Sequence, residues 1–226
     1  MLRPISQQYI DIHTHKKNCK NFVFPIRNVF SDELDEDLSD SHEALSIGFH
    51  PWHIKFSDIE EQFELIEKQL NQPTVFAIGE CGIDKAIETD IQLQKEVFVR
   101  QVEISEKAQK PLIVHCVKAA HEILQIRKET HAQMPWIFHG FNQSIELAEQ
   151  IIKQDCYMSF GYQLMQKESK PIDLLKQIDR TRIFYESDDQ RITVIDVYET
   201  ASKILDKYVA TLKEEVSENY RKLFHE

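Results

Sequence analysis

Six residues able to bind a divalent cation stand at the ends of short apolar runs: His13 and His15 in YIDIHTH, Glu80 in VFAIGE, His115 in PLIVH, His139 in WIFH and Asp188 in RIFYESD. Side chains along a strand alternate between its two faces, so Asp11, His13 and His15 share one face while Ile10 and Ile12 take the other. The same alternation sets Ile78 with Glu80, Ile137 with His139, and Glu186 with Asp188. An HxH pair puts two imidazoles close enough to share one ion. Alone such a pair is common. Joined by Glu80, His115, His139 and Asp188 at the ends of later runs, it reads as a polynuclear metal site on a barrel rim. Nitrogen and oxygen donors without thiolate suit Zn²⁺ or Mn²⁺ and accept Mg²⁺, Co²⁺ or Fe²⁺.

Other residues gather around this set. His50, in GFHPW, ends a run on the same rim, and Pro51 forces an extended or turning chain there. Trp52 offers a ring that can stack on a base or cap the barrel. Asp11, Asp84 and Glu186 are placed to orient ligands by accepting their second hydrogen bond. Lys118, three residues past His115, is a local positive charge for a phosphate. His42, His121, His131 and His225 fall in polar contexts and read as surface residues.

With 226 residues, 42% apolar and 29% charged, the chain has the composition of an ordinary globular protein long enough for one barrel domain, residues 1–226. No uncharged stretch is long enough to span a bilayer, and residues 1–8 lack the apolar core of a signal peptide, so a cytoplasmic location is expected. No obligate protein partner is evident. A net charge of −11 argues against a wide basic face for duplex nucleic acid, whose binding is driven by neutralising phosphates. Six of the acids lie in SDELDEDLSD, residues 31–40, which reads as a solvated loop or first helical turns. Cys19, Cys81, Cys116 and Cys156 are expected to be reduced thiols and not ligands.

The elements that must position these groups are βα units. Strands are expected at residues 9–13, 21–29, 44–49, 74–78, 112–115, 136–139, 156–160 and 182–185, alternating with helical patterns as in a TIM-type (β/α)8 barrel. Ser57 and Glu60 form a capping-box pattern before a helix with Ile59, Phe63, Ile66 and Leu70 on one face. Residues 91–107 and 144–153 are helical, the latter with Ser144 as N-cap, and 193–226 form a helical tail. Only a handful of residues separate the first two strands, too few for a helical crossover, so the barrel is expected to be distorted there: the second strand runs antiparallel or is irregular.

In its order of blocks the chain resembles the TatD family of metal-dependent hydrolases, within the amidohydrolase-like TIM barrels. YIDIHTH is similar to the family's D-x-H-x-H opening and IGFHPW to its G-x-HP block. IGECGIDK, PLIVHCVKA, IFHGFNQS and YESDD are similar to its later blocks, over about four fifths of the chain. The resemblance implies that His13, His15, Glu80, His115, His139 and Asp188 are the ligands, with Glu80 bridging two ions, and that His50 contacts a substrate oxygen. The chain departs from the family around the substrate. Lys85 stands in place of an aromatic and Val117 in place of an arginine, Asp189 in place of a small residue, and an R-N-x-P segment is missing.

Two divalent ions are therefore expected, with His13, His15 and Asp188 on one, His115 and His139 on the other, and Glu80 between. They would lower the pKa of a shared water and polarise the substrate, with Asp188 taking the proton. The family resemblance implies exonucleolytic hydrolysis of DNA. It also admits a carbonyl ester or amide substrate, such as a D-aminoacyl-tRNA, and the departures leave open a metal-binding interaction module without activity.

Overall fold

In YIDIHT and VFPIRNVF, alternating apolar residues give the first two of eight strands. The computed structural model of the protein describes residues 2–5, 7–17, 20–34, 38 and 43–224. His42, His225 and Cys19, and much of the acidic stretch at 31–40, lie outside the described residues. The strands are β1 (Tyr9–Thr14), β2 (Val23–Phe30), β3 (Ala44–Gly48), β4 (Val75–Asp84), β5 (Leu112–Val117), β6 (Trp136–Phe138), β7 (Tyr157–Phe160) and β8 (Ile183–Tyr185). The main helices are α1 (Ile59–Gln69), α2 (Ile91–Ala108), α3 (Ala120–Glu129), α4 (Ile145–Lys153), α5 (Lys170–Gln177), α6 (Val194–Leu205) and α7 (Val209–Leu223). The strands form one sheet in sequential order, and a parallel bridge between Thr14 and Asp188 brings the end of the chain's last strand segment back to β1. This is a TIM-type barrel.

By its contacts the chain falls into two units, one of Asn28–Trp136 and the other of Arg3–Arg27 with Ile137–Glu226. In the first, β3, β4 and β5 pair in parallel. Gly79 (φ +132°) and Gly82 (φ +151°) let β4 lie tight on β5, since a Cβ on them would stand 2.4 Å from the Ile113 carbonyl oxygen and 2.0 Å from that of His115. Phe98 meets Trp136 edge to face at 5.3 Å, and the Arg127 guanidinium lies 4.9 Å from the Trp136 ring centre.

In the second unit β1 and β2 are parallel, with Tyr9 opposite Val23, which corrects the expectation of an antiparallel or irregular second strand. No helix is needed. The eight residues 15–22 can span at most about 26 Å, more than the roughly 20 Å rise of the six-residue β1, so a parallel return beside β1 is within reach without one. The two last helices are part of this unit's core: Tyr198 packs on Tyr9 and Tyr185 and donates to the Ile10 carbonyl at 3.2 Å, and Tyr220 packs on Phe24. Thr193 and Asp196 cap α6 reciprocally and Ser144 caps α4. The capping box read at Ser57 does not form. Ser57 lies inside a short 3₁₀ turn, Phe56–Asp58, and α1 starts only at Ile59, so the box is out of phase with the helix.

Candidate metal centre

Two groups of donors lie in the later halves of strands or just past their ends, one in each unit. In the first unit β3 runs into Phe49 and His50, and Gln101 of α2 fixes that exit by accepting from the Phe49 amide (2.8 Å) and donating to its carbonyl (3.0 Å). Pro51 begins a one-turn 3₁₀ segment in which the Trp52 amide donates to His50 Nδ1 at 3.2 Å. That bond makes Nδ1 an acceptor, so the proton of the neutral ring sits on Nε2, 3.1 Å from Glu80 Oε1. His115 Nδ1 lies 2.8 Å from the same oxygen, and its Nε2 lies 3.2 Å from Asp84 Oδ2. One ligand atom each from His50, Glu80 and His115 fall within 4.8 Å of one another, and all three residues are buried.

Asp84 is well held. It accepts from the Trp52 indole N–H (2.7 Å) and the Ala86 amide (2.8 Å), and Gln94 of α2 bonds both its amide and its carbonyl. Burial pushes its carboxyl up, but the bonds from Trp52, Ala86 and His115 outweigh that and leave it below the usual aspartate value. An anionic Asp84 beside His115 Nε2 orients the ring and leaves Nδ1 for a cation.

In the second unit His13 Nε2 and His15 Nε2 each lie 3.5 Å from Asp188 Oδ1. The His13 and His139 rings are 4.5 Å apart, and ligand atoms of His13, His139 and Asp188 fall within 4.8 Å of one another. Asp188 does not continue the alternation of β8. It lies three residues past the strand with φ +50°, a left-handed conformation that aspartate tolerates, and its amide donates to the His13 carbonyl at 3.1 Å. Glu186 turns elsewhere, accepting from the Gly140 amide (2.8 Å) and the Ser159 hydroxyl and standing 3.6 Å from His139 Nδ1. Beneath them Asp11 accepts from Ser187, and burial, opposed by those bonds, pushes its carboxyl up to about 7.

The donor sets fit hard or borderline divalent cations: imidazole nitrogen with carboxylate oxygen, each group backed by an acid on the far side of a ring. The grouping differs from the expected assignment in one respect: His139 stands with His13 and Asp188, whereas it was expected to share an ion with His115. His50, expected to contact a substrate oxygen, directs its Nε2–H at Glu80. Glu80 is also not the end of its strand, since β4 runs on to Asp84. Trp52 and Lys118 are exposed, Lys118 directly after β5 with φ +53°. His121 and His131 are on the surface, and the Cys81 thiol is buried, donating to the Ile113 carbonyl. Three supporting residues escaped the sequence reading: Gln94 and Gln101, and Asn28 of β2, whose Oδ1 accepts from the Glu80 amide and from Ser46 Oγ. Their signal is a polar residue inside an apolar pattern, seven apart on the buried face of α2 for the glutamines.

An eight-stranded barrel with imidazoles and carboxylates grouped in the later halves of its strands and just past them is the framework of a metal-dependent hydrolase. The family model of TatD related DNases matches residues 12–225, and the chain belongs to that family. It is 33% identical over 147 residues to the uncharacterized metal-dependent hydrolase YabD of Bacillus subtilis, a match covering 63% of this chain and 57% of that protein. It is 29% identical over 149 residues to the human 3'-5' RNA nuclease TATDN2, covering 63% of this chain and 19% of that one. The crystal structure of YJJV, a TatD homologue from Escherichia coli, superposes with a TM-score of 0.81 at 17% identity over 98% of this chain and 100% of that chain, which shows the shared fold. No helix among the described residues is long and apolar enough to cross a membrane.

Proposed function

We propose that the protein is a two-metal hydrolase of phosphodiester bonds in single-stranded nucleic acid, acting from an end, with one divalent ion held by His13, His139 and Asp188 beside His15 and a second by Glu80 and His115 beside His50. The observation that carries this is the pair of imidazole and carboxylate groups, one buried and one part exposed, each with three ligand atoms inside 4.8 Å. Bound divalent ions supply polarisation of the phosphoryl oxygens and a water of lowered pKa. The residues do the rest. Asp84 orients the ring of His115, Glu186 places a negative charge 3.6 Å from His139 Nδ1, and Asp188, part exposed between His13 and His15, takes the water's proton. Lys118 meets a substrate phosphate. Support for nucleic acid as substrate comes from the family's description and from the relative named as an RNA nuclease. The net charge of −11 favours a single strand, which can be bound by stacking, over a duplex gripped through its phosphates.

The test is a set of end-labelled DNA and RNA strands with added Mn²⁺, Mg²⁺ or Zn²⁺, beside D-aminoacyl-tRNA. Shortening from one end that stops with chelator is the expected result. Release of the amino acid with intact strands would replace the reading with a carbonyl-ester hydrolase, and metal binding with neither reaction would leave an interaction module.

A further inference from the structure

The chain has two tryptophans, and they are built in opposite ways. Trp136 is fully buried under the Arg127 guanidinium, whereas Trp52 is 62% exposed. An exposed tryptophan ordinarily turns its N–H to water. Trp52 does the reverse, giving its indole N–H to Asp84 Oδ2 at 2.7 Å and leaving its ring to solvent. The ring is also held edge to face against His50 (5.0 Å) and His115 (5.9 Å), and its backbone amide is spent on His50 Nδ1. It is a fixed aromatic plate whose polar edge is tied to the donor group.

We propose that Trp52 is a stacking platform for an unpaired nucleobase of the substrate, and that through Asp84 it positions His115, so that base stacking and cation binding by Glu80 and His115 strengthen one another. This rests on the nucleic-acid reading above. The same Asp84 oxygen that accepts from Trp52 lies 3.2 Å from His115 Nε2, so a shift of the indole changes the acceptor that orients the ring. Because the coupling is an equilibrium property it is reciprocal: the factor by which a strand tightens the cation equals the factor by which the cation tightens the strand. Stacking needs no wide basic face and releases few counterions, so the contribution of Trp52 survives high salt in a chain of this acidity.

Oligothymidylate and Co²⁺ are the probes, with tryptophan emission, Co²⁺ absorption and the anisotropy of a labelled strand as readouts that need no turnover. In the wild type the strand quenches Trp52 emission in chelator-treated protein, and strand and Co²⁺ raise each other's affinity by one common factor. Trp52→Phe keeps a ring but loses the N–H: strand affinity stays within a few-fold, Co²⁺ affinity falls about 10- to 100-fold, and the mutual enhancement disappears. Trp52→Leu loses strand affinity as well, by about 5- to 150-fold for one stacked base. Unchanged Co²⁺ affinity in Trp52→Phe, or emission that ignores saturating strand, overturns the inference. A protein that shortens strands while showing either of those results leaves the hydrolase reading standing. Absence of hydrolysis on any strand despite the coupling would sink that reading and leave the link between Trp52 and His115.

Discussion

Ser187 donates twice to Asp11, from its amide to Oδ1 at 2.9 Å and from its hydroxyl to Oδ2 at 2.7 Å. The pair ties the segment after β8 to β1 directly beneath His13, and the next residue is Asp188. Asp11→Ala leaves the buried Ser187 amide without an acceptor, which costs about 1–3 kcal/mol, and also loses the hydroxyl's bond to Oδ2, whereas Ser187→Ala removes only the hydroxyl's bonds, to Asp11 and to Thr14 Oγ1 at 2.9 Å, at about 1 kcal/mol each. Asp11→Asn keeps an acceptor for the amide and should fall closest to wild type. Urea unfolding of chelator-treated protein orders the three, and Ser187→Ala costing more than Asp11→Ala would contradict this account.

Glu186 is predicted to act on cation binding and not on the fold. Glu186→Gln retains an oxygen for the Gly140 amide but removes the charge that faces His139 Nδ1. Affinity for Mn²⁺ or Zn²⁺ should drop about 10- to 100-fold with little change in the metal-free melting temperature. Calorimetric titration in parallel with thermal melts measures both, and equal cation affinity would count against an orienting role.

What could be read from the sequence was whatever ends an apolar run. His13, Glu80, His115 and His139 declare themselves because a strand's alternation is a strong local constraint, and the helices at 144–153 and 193–205 carry their caps in the sequence. The direction of β2 was not readable, since it depends on the reach of the 15–22 link and not on local preference. Nor was the placing of Asp188: its left-handed backbone breaks the alternation that would have set it beside Glu186. Asn28, Gln94 and Gln101 were hidden because their partners are backbone groups 10 to 52 residues away.

The tail supplies a pH prediction. Partial burial pushes the Glu215 carboxyl up, but hydrogen bonds from Lys207 and Arg180 outweigh it and hold the carboxyl below the usual glutamate value. A carboxyl with a lowered folded pKa stabilises the fold above its unfolded value of 4.5, and that contribution is lost as pH falls through the folded value. Wild type should therefore lose stability relative to Glu215→Gln on acidification below about pH 4.5 and hold a constant margin at neutral pH. Parallel stability curves for the two proteins across that range would refute the assignment.

Gly82 is predicted to be among the least replaceable residues. An alanine there would bring its Cβ to 2.0 Å from the His115 carbonyl oxygen at a φ of +151°, so both the backbone and β5 must move. Gly82→Ala should destabilise by about 3 kcal/mol or more or fail to accumulate in soluble form. His115, on the displaced strand, should lose its alignment with Glu80. Near wild-type stability and cation binding in the purified variant would show that β4 and β5 are not packed as closely as described.

Asp188 separates binding from turnover. It is assigned both a place among the donors of His13 and His139 and the uptake of a proton, and substitution by asparagine affects the two unequally. The amide side chain of Asp188→Asn keeps an oxygen donor where Oδ1 now lies 3.5 Å from His13 and His15. It cannot accept a proton at neutral pH. Asp188→Asn should therefore bind its cation with modest loss, raising the melting temperature in saturating Mn²⁺ as wild type does, yet turn over about 100- to 10,000-fold more slowly. His13→Ala, by contrast, should lose the cation-dependent melting shift together with activity. Lower pH should weaken cation binding in both the wild type and Asp188→Asn, because protonated imidazoles cannot ligate. Full turnover by Asp188→Asn with its cation bound would move the proton's acceptor to another group.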